Sequence, residues 1–488
     1  MSEAEIGSSA SEGEGEGSAP GLLRQSGFYL AAAIVGVVTG AIGTLFHLIV
    51  DWMIGWPAFL QSRLDGVFLF LVSATIAASM VAASLYLVRR FAPEAGGSGV
   101  QEIEGALAGQ RPLRWARVLP VKFFGGLLSL GSGLVVGREG PTIHMGASVA
   151  GALSEWTKQR ALETNGLLAA GAAAGLAAAF NAPLAAILFV IEETRRQFRY
   201  TLHTYTGVAI AAILSTVVTE YIAGWGPDLE ILVPVMPLWT LTGFFVLGVL
   251  LGGMGVIFNK ALLVSLDAAM WINQRAPYVY PVAFGALIGV LVLVLPDATY
   301  GGETLILTMS NEQLAIGTLL LVVAVRSLTT LGSYATGVPG GIFAPILTLA
   351  TCVGLAFAAI IALLVPMPPH APQAFAIAAM GGLFAAAVRA PLVGVVLTVE
   401  LTGAYQLILP TLVTCMTANI IADWLGGEPI YEQLLERTLR LAGQKPTHSS
   451  HRTPVQLGWE GDEKTGEVVA EEEAKKESGP TDGTTPDR

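Results

Sequence analysis

Long apolar runs interrupted by glycine and proline fill the middle of this chain, and polar residues gather at its two ends. Apolar stretches of about 20 residues, the length that crosses a bilayer, begin near Gly27, Phe68, Leu238, Val279 and Leu314. Others begin at Val118, Leu167, Thr204, Ile342, Ala374 and Leu392. The pattern predicts an all-α, polytopic membrane protein, because helices satisfy their own backbone polar groups where water is missing. Several runs are short or broken, so tilted and interrupted helices are expected, packed closely through small residues.

Composition agrees with the pattern. Of 488 residues 53% are hydrophobic and 13% charged, which excludes a soluble globule. Residues 1–22 are rich in Glu, Gly and Ser, with neither a basic nor an apolar signal-peptide region, and read as a disordered acidic segment. Residues 446–488 read as a disordered polar tail, too short for a sizeable regulatory domain. The transmembrane domain is expected over 23–445, C-terminal helix included. Much of the net charge of −11 resides in the tails, so it says little about a ligand. Arg24 before the first span, and Arg437, Arg440 and Lys445 after the last, are the flanking positive charges expected on the cytoplasmic side, which puts both termini inside.

Chemistry of other classes finds little support in the residues. Cys352 and Cys415 stand alone in apolar runs without metal-ligand spacing, as small packing residues do. His448 and His451 belong to the solvated tail. His144 reads as a hydrogen-bonded core histidine. No metal, organic cofactor or nucleic acid is expected.

An internal echo runs through the chain. Gly175-Leu176-Ala177-Ala178-Ala179-Phe180-Asn181-Ala182-Pro183-Leu184 returns, one residue longer, as Gly382 to Leu392, and a glutamate follows each proline at the same offset: Glu192 and Glu400. Gly137-Arg138-Glu139-Gly140-Pro141 is echoed by Gly341-Ile342-Phe343-Ala344-Pro345. Both pairs lie about 205 residues apart, which predicts two related halves, in an inverted arrangement with broken helices meeting at the midplane.

Glu139 is the most informative position. An ionisable residue at membrane depth is expensive and by default faces a pathway or a water-filled cavity. Glycines flank the Arg138-Glu139 pair, and Pro141 suits the first turn of a helix, whose N–H groups attract anions. A carboxylate placed where an anion would bind has the character of a gate.

With those residues in view, the chain resembles the CLC family of chloride channels and proton-coupled chloride exchangers, most closely the bacterial exchangers. The resemblance runs from about Gly27 to Gln444. It is carried by Gly97-Ser98-Gly99 with Glu102-Ile103, by the two Gly-x-x-x-Pro segments, by Asn181 to Tyr200 with Glu192-Glu193, and by Tyr431. It implies that the Ser98 hydroxyl, the Tyr431 phenol and the amides of Ile342 and Phe343 bind a dehydrated Cl⁻. Glu139 is then the external gate and Glu193 the internal proton-transfer residue. It also implies a homodimer with a pathway in each protomer. Hydroxyl and amide donors replace hydration without a full charge that would trap the ion.

Other readings attach to single residues. Glu193 could pair with Arg195, Arg196 or Arg199, Glu139 could pair with Arg138, and Glu192 is expected to serve packing or hydrogen bonding. Gln101 stands where relatives commonly have proline. A passive chloride channel is the nearest alternative function. An intramembrane serine protease is a remote one, resting on Gly96-Gly97-Ser98-Gly99 and a histidine base among His47, His144, His203 and His370.

Overall fold

A computed structural model describes residues 19–158, 161–194, 201–226, 229, 231, 233, 235–302, 305–308, 315–368 and 370–444. The chain forms one compact unit through Arg437 and a second from Thr438. Of the second, residues 438–444 are described, ending in a turn closed by the Gln444 N–H on the Leu439 carbonyl at 2.9 Å. Among the described residues there is no sheet, only two isolated backbone bridges, Gly97 with Pro339 and Gly137 with Gly341.

The fold is all-helical. α1 (Ala19–Met53), α2 (Trp56–Gln61) and α3 (Gly66–Phe91) are followed by the short α4 (Val100–Leu107), then α5 (Trp115–Gly131), α6 (Glu139–Thr157), α7 (Ala161–Phe180), α8 (Pro183–Thr194) and α9 (Leu202–Ala223). The second half contains α10 (Leu241–Arg275), α11 (Val279–Val294), α12 (Ile316–Ala335), α13 (Phe343–Ala362), α14 (Ala371–Val388), α15 (Pro391–Thr402), α16 (Ile408–Trp424) and α17 (Ile430–Leu441). Eight of the described helices are long and apolar enough to cross a membrane.

Three differences from the sequence reading have physical causes. α1 starts at Ala19, inside the segment assigned to the disordered N-terminus, because Pro20 has the fixed φ that suits a first helical turn. The remaining residues of that segment, and 446–488, lie outside the described residues. The runs from Val279 and Leu392 give helices of 16 and 12 residues, too short to be full spans. The run from Leu392 divides into α15 and α16, with only Gly403 to Leu407 interrupting the apolarity; Gly403 takes the left-handed φ of 68° that ends α15.

The halves repeat one packing scheme. α1 lies on α9 through Gly36 and Gly40, where a methyl at Gly40 would sit 2.7 Å from the Ser215 carbonyl oxygen. α10 lies on α16 through Gly248 and Gly252, where a methyl at either would sit 2.8 Å from the carbonyl oxygen of Thr414 or Ala418. Helices without side chains at the seam approach until backbones touch, which supplies dispersion contact where lipid offers no hydrophobic drive.

α8 and α15 show the inversion most directly. Glu400, near the end of α15, accepts the first-turn N–H groups of α8 from Leu184 at 3.0 Å and Ala185 at 2.7 Å. Glu192, at the same place in α8, accepts the Val393 N–H of α15 at 3.0 Å. Each helix therefore caps the other, which only an antiparallel pair can do, and the two echoed glutamates have one shared job. Replacing Glu400 by Ala strips the α8 amides of their acceptor at a cost of about 1–3 kcal/mol. A lowered unfolding temperature in detergent, with a smaller loss for Glu400→Gln, is the expected measurement.

Candidate functional site

Three segments far apart in sequence are tied together by main-chain bonds. The Gly97 N–H donates to the Val338 carbonyl at 3.0 Å, and the Gly340 N–H returns to the Gly97 carbonyl at 3.0 Å. Gly137 and Gly341 exchange both bonds, 2.8 Å from the Gly137 N–H and 2.7 Å from the Gly341 N–H. These are the opening glycines of the echoed Gly-x-x-x-Pro segments, and reciprocal antiparallel pairing is what two equivalent strands make across a two-fold axis. The junction brings together the starts of α4, α6 and α13, whose unpaired first-turn N–H groups give the region a positive potential.

Side chains fasten the Ser98 loop to this junction. Buried Lys122 of α5 donates to the Gly97 carbonyl at 2.6 Å and the Ala95 carbonyl at 3.0 Å. Ser129 donates to the Pro339 carbonyl. Gln101 Oε1 accepts the Gly99 N–H at 3.2 Å, so the residue that departs from the usual proline closes the loop on itself. Gly99 has a φ of 92°, and a side chain there would strike the His144 ring. Gly140 is needed for close approach: a methyl on it would lie 2.6 Å from Ser98 Oγ.

The expected anion-binding residues meet at this place. Ser98, Glu139, Phe343 and Tyr431 are each 0% exposed and Ile342 is 1% exposed. Ile342 precedes α13 and Phe343 is its first residue, so their amides belong to the group with no intrahelical acceptor. The Phe343 ring stacks on Tyr431 at 6.3 Å between centroids, and meets Phe189 of α8 at 5.1 Å and Phe384 of α14 at 4.6 Å. Tyr431 lies within electrostatic range of Ser98, Tyr334, Glu193 and Glu139. Ser98 Oγ and Tyr431 Oη are buried, and neither makes a hydrogen bond of normal geometry with a described residue.

Glu139 opens α6 at the two-glycine junction. A methyl at Gly341 would lie 3.4 Å from Glu139 Oε2 and 2.9 Å from the Gly140 nitrogen. The carboxylate thus occupies the convergence of helix N-termini, where an anion is favoured. Its neighbour Arg138 is directed to the Ala179 carbonyl at 3.0 Å and to His47 Nε2 at 2.7 Å. Glu193 is half-buried near the end of α8; Arg195, Arg196 and Arg199 lie outside the described residues.

None of the four histidines considered as a protease base hydrogen-bonds Ser98. His47 contacts Asp51 at 2.8 Å as well as Arg138. His203 packs on Phe28 and Tyr29, and His370 precedes α14. His144 is buried and, among the described residues, neither ring nitrogen has a hydrogen-bond partner, against the expectation of a hydrogen-bonded core residue. It is wedged under Gly99 by packing. Sequence reading missed Lys122, Tyr334 and Ser129 at the site; only Lys122, a lone charge in an apolar run, carried a signal that could have found it.

Residues 80–423 match the family model described as voltage gated chloride channel. The chain belongs to this CLC family. It is 47% identical over 420 residues to the H(+)/Cl(-) exchange transporter ClcA of Vibrio parahaemolyticus, covering 84% of this chain and 90% of that protein. Similarity to the ClcA exchanger of Salmonella arizonae is 43% over 444 residues, covering 87% and 92%. Among solved structures, a slow cyanobacterial Cl⁻/H⁺ antiporter matches with a TM-score of 0.82 at 41% identity, over 86% of this chain and 99% of that one. A eukaryotic CLC transporter matches at 22% identity with a TM-score of 0.73, over 86% of this chain and 75% of that one, a likeness of fold.

Proposed function

We propose that this protein is a proton-coupled chloride antiporter. The observation that carries the reading is the meeting of two buried hydroxyls, Ser98 and Tyr431, with Glu139 where three helices begin. Donors of that kind replace the water stripped from Cl⁻. A carboxylate at the same junction competes with the anion when ionised and releases the position when protonated, so the proton state of Glu139 is linked to anion occupancy. Tyr431 interacts electrostatically with both glutamates, which supports a proton route from the inner solution through Glu193 to Glu139. The exchanger names of relatives that span most of this chain support the coupled reading over the passive channel.

The unit is a homodimer in the inner membrane, with a pathway in each protomer and both termini cytoplasmic, and it works without a metal or organic cofactor. Parallel Cl⁻ and H⁺ fluxes in proteoliposomes test the function. A Cl⁻ gradient should drive protons uphill, and the reversal potential should move with both gradients. A reversal potential that follows Cl⁻ alone would make the protein a passive channel.

A further inference from the structure

Tyr334, one residue from the end of α12, has no part in the mechanism above, yet it stands at the same junction. It is 4% exposed, and its hydroxyl oxygen accepts the Ser98 amide N–H at 3.4 Å. A methyl at Gly97 would lie 3.2 Å from that oxygen. Tyr334 also lies within electrostatic range of the Tyr431 phenol. A phenol both accepts and donates. The Ser98 contact uses a lone pair, and among the described residues none accepts the Tyr334 proton.

The other donors of the loop are already engaged. The Gly97 N–H is held by the Val338 carbonyl, the Ser98 N–H by Tyr334 and the Gly99 N–H by Gln101. What the segment and its two tyrosines can offer an anion is therefore three hydroxyls: Ser98, Tyr431 and Tyr334.

We propose that Tyr334 is a third hydroxyl donor at the anion site, and that it sets selectivity by favouring small, strongly hydrogen-bonding halides. The inference rests on the chloride reading. A compact anion of high charge density gains more from each hydroxyl than a large, diffuse one does. Three converging hydroxyls thus bias the site toward Cl⁻ over thiocyanate. With its lone pair on the Ser98 N–H, Tyr334 contributes to the site through the proton it donates.

The test is calorimetric titration of Cl⁻ and thiocyanate into the detergent-solubilised wild type and Tyr334→Phe. Loss of one hydrogen bond to an ion predicts about tenfold weaker Cl⁻ binding, with a smaller loss for thiocyanate. A residue that only packs would leave both affinities and their ratio unchanged, and that result overturns the proposal. A wild type that binds no Cl⁻ would instead overturn the chloride reading. Should Tyr334→Phe fail to fold, anomalous diffraction from wild-type crystals soaked in bromide decides the matter. Density within hydrogen-bond distance of Tyr334 Oη supports the assignment; density held by Ser98 and Tyr431 alone overturns it.

Discussion

Glutamine in place of Glu139 is expected to leave Cl⁻ flux running and to abolish chloride-driven proton movement. The carboxylate opens α6 beside Gly137 and Gly341, at the convergence of helix N-termini. Ionised, it is drawn to that positive region as a substrate anion would be. Protonated, it loses the attraction and leaves the position to Cl⁻. Glutamine copies the neutral form in size and hydrogen-bonding shape but cannot carry a proton. Uphill H⁺ transport should therefore fall to background, and Cl⁻ flux should lose its dependence on external pH. The wild-type flux should rise as acid protonates the gate. A pH electrode and a chloride electrode on the same liposome suspension read both quantities. Retained proton pumping in Glu139→Gln would remove Glu139 from the gating role.

Replacement of Glu193 by Gln should produce the same loss of proton transport through a different step. Glu193 lies near the end of α8, half-buried, and interacts with Tyr431, which also interacts with Glu139. A proton cannot cross an apolar interior unaided, so the route needs a titratable side chain at its inner end. With glutamine there, H⁺ flux should fall to background while Cl⁻ moves. The two variants differ in one readout. Glu139 still titrates in Glu193→Gln, so Cl⁻ flux should keep its external pH dependence, whereas in Glu139→Gln it should be flat. Proton pumping that survives in Glu193→Gln would make Glu193 a structural residue.

The glutamate beside it illustrates why neighbours in sequence need not share a task. Glu192 caps α15 and Glu400 caps α8, so each is committed to amide donors of the other half. Glu193 is turned away by about 100°, the step between successive helical residues. Their adjacency in the chain shows two carboxylates; only the antiparallel pairing of α8 with α15 shows that Glu192 is the one that caps the other half.

What the sequence determined by itself follows from interactions that are local or depend on solvent. Apolar runs of helical length report a lipid surrounding, and they located most of the helices because every residue in them responds to the same environment. The echoes Gly175 with Gly382 and Gly137 with Gly341 identified the halves, and Glu139 drew attention as a charge at membrane depth. The tertiary structure decided the rest. The proposed anion site is assembled by bonds between Gly137 and Gly341, and between Gly97 and the Val338 to Gly340 segment. Those bonds use backbone groups that almost every residue carries, so side-chain identity does not announce the pairing. Tyr334 and Ser129 looked like ordinary residues of apolar helices. They stand at the junction only because the fold brings the starts of three helices to one point, which sets the Tyr334 hydroxyl against the Ser98 amide and Ser129 on the Pro339 carbonyl.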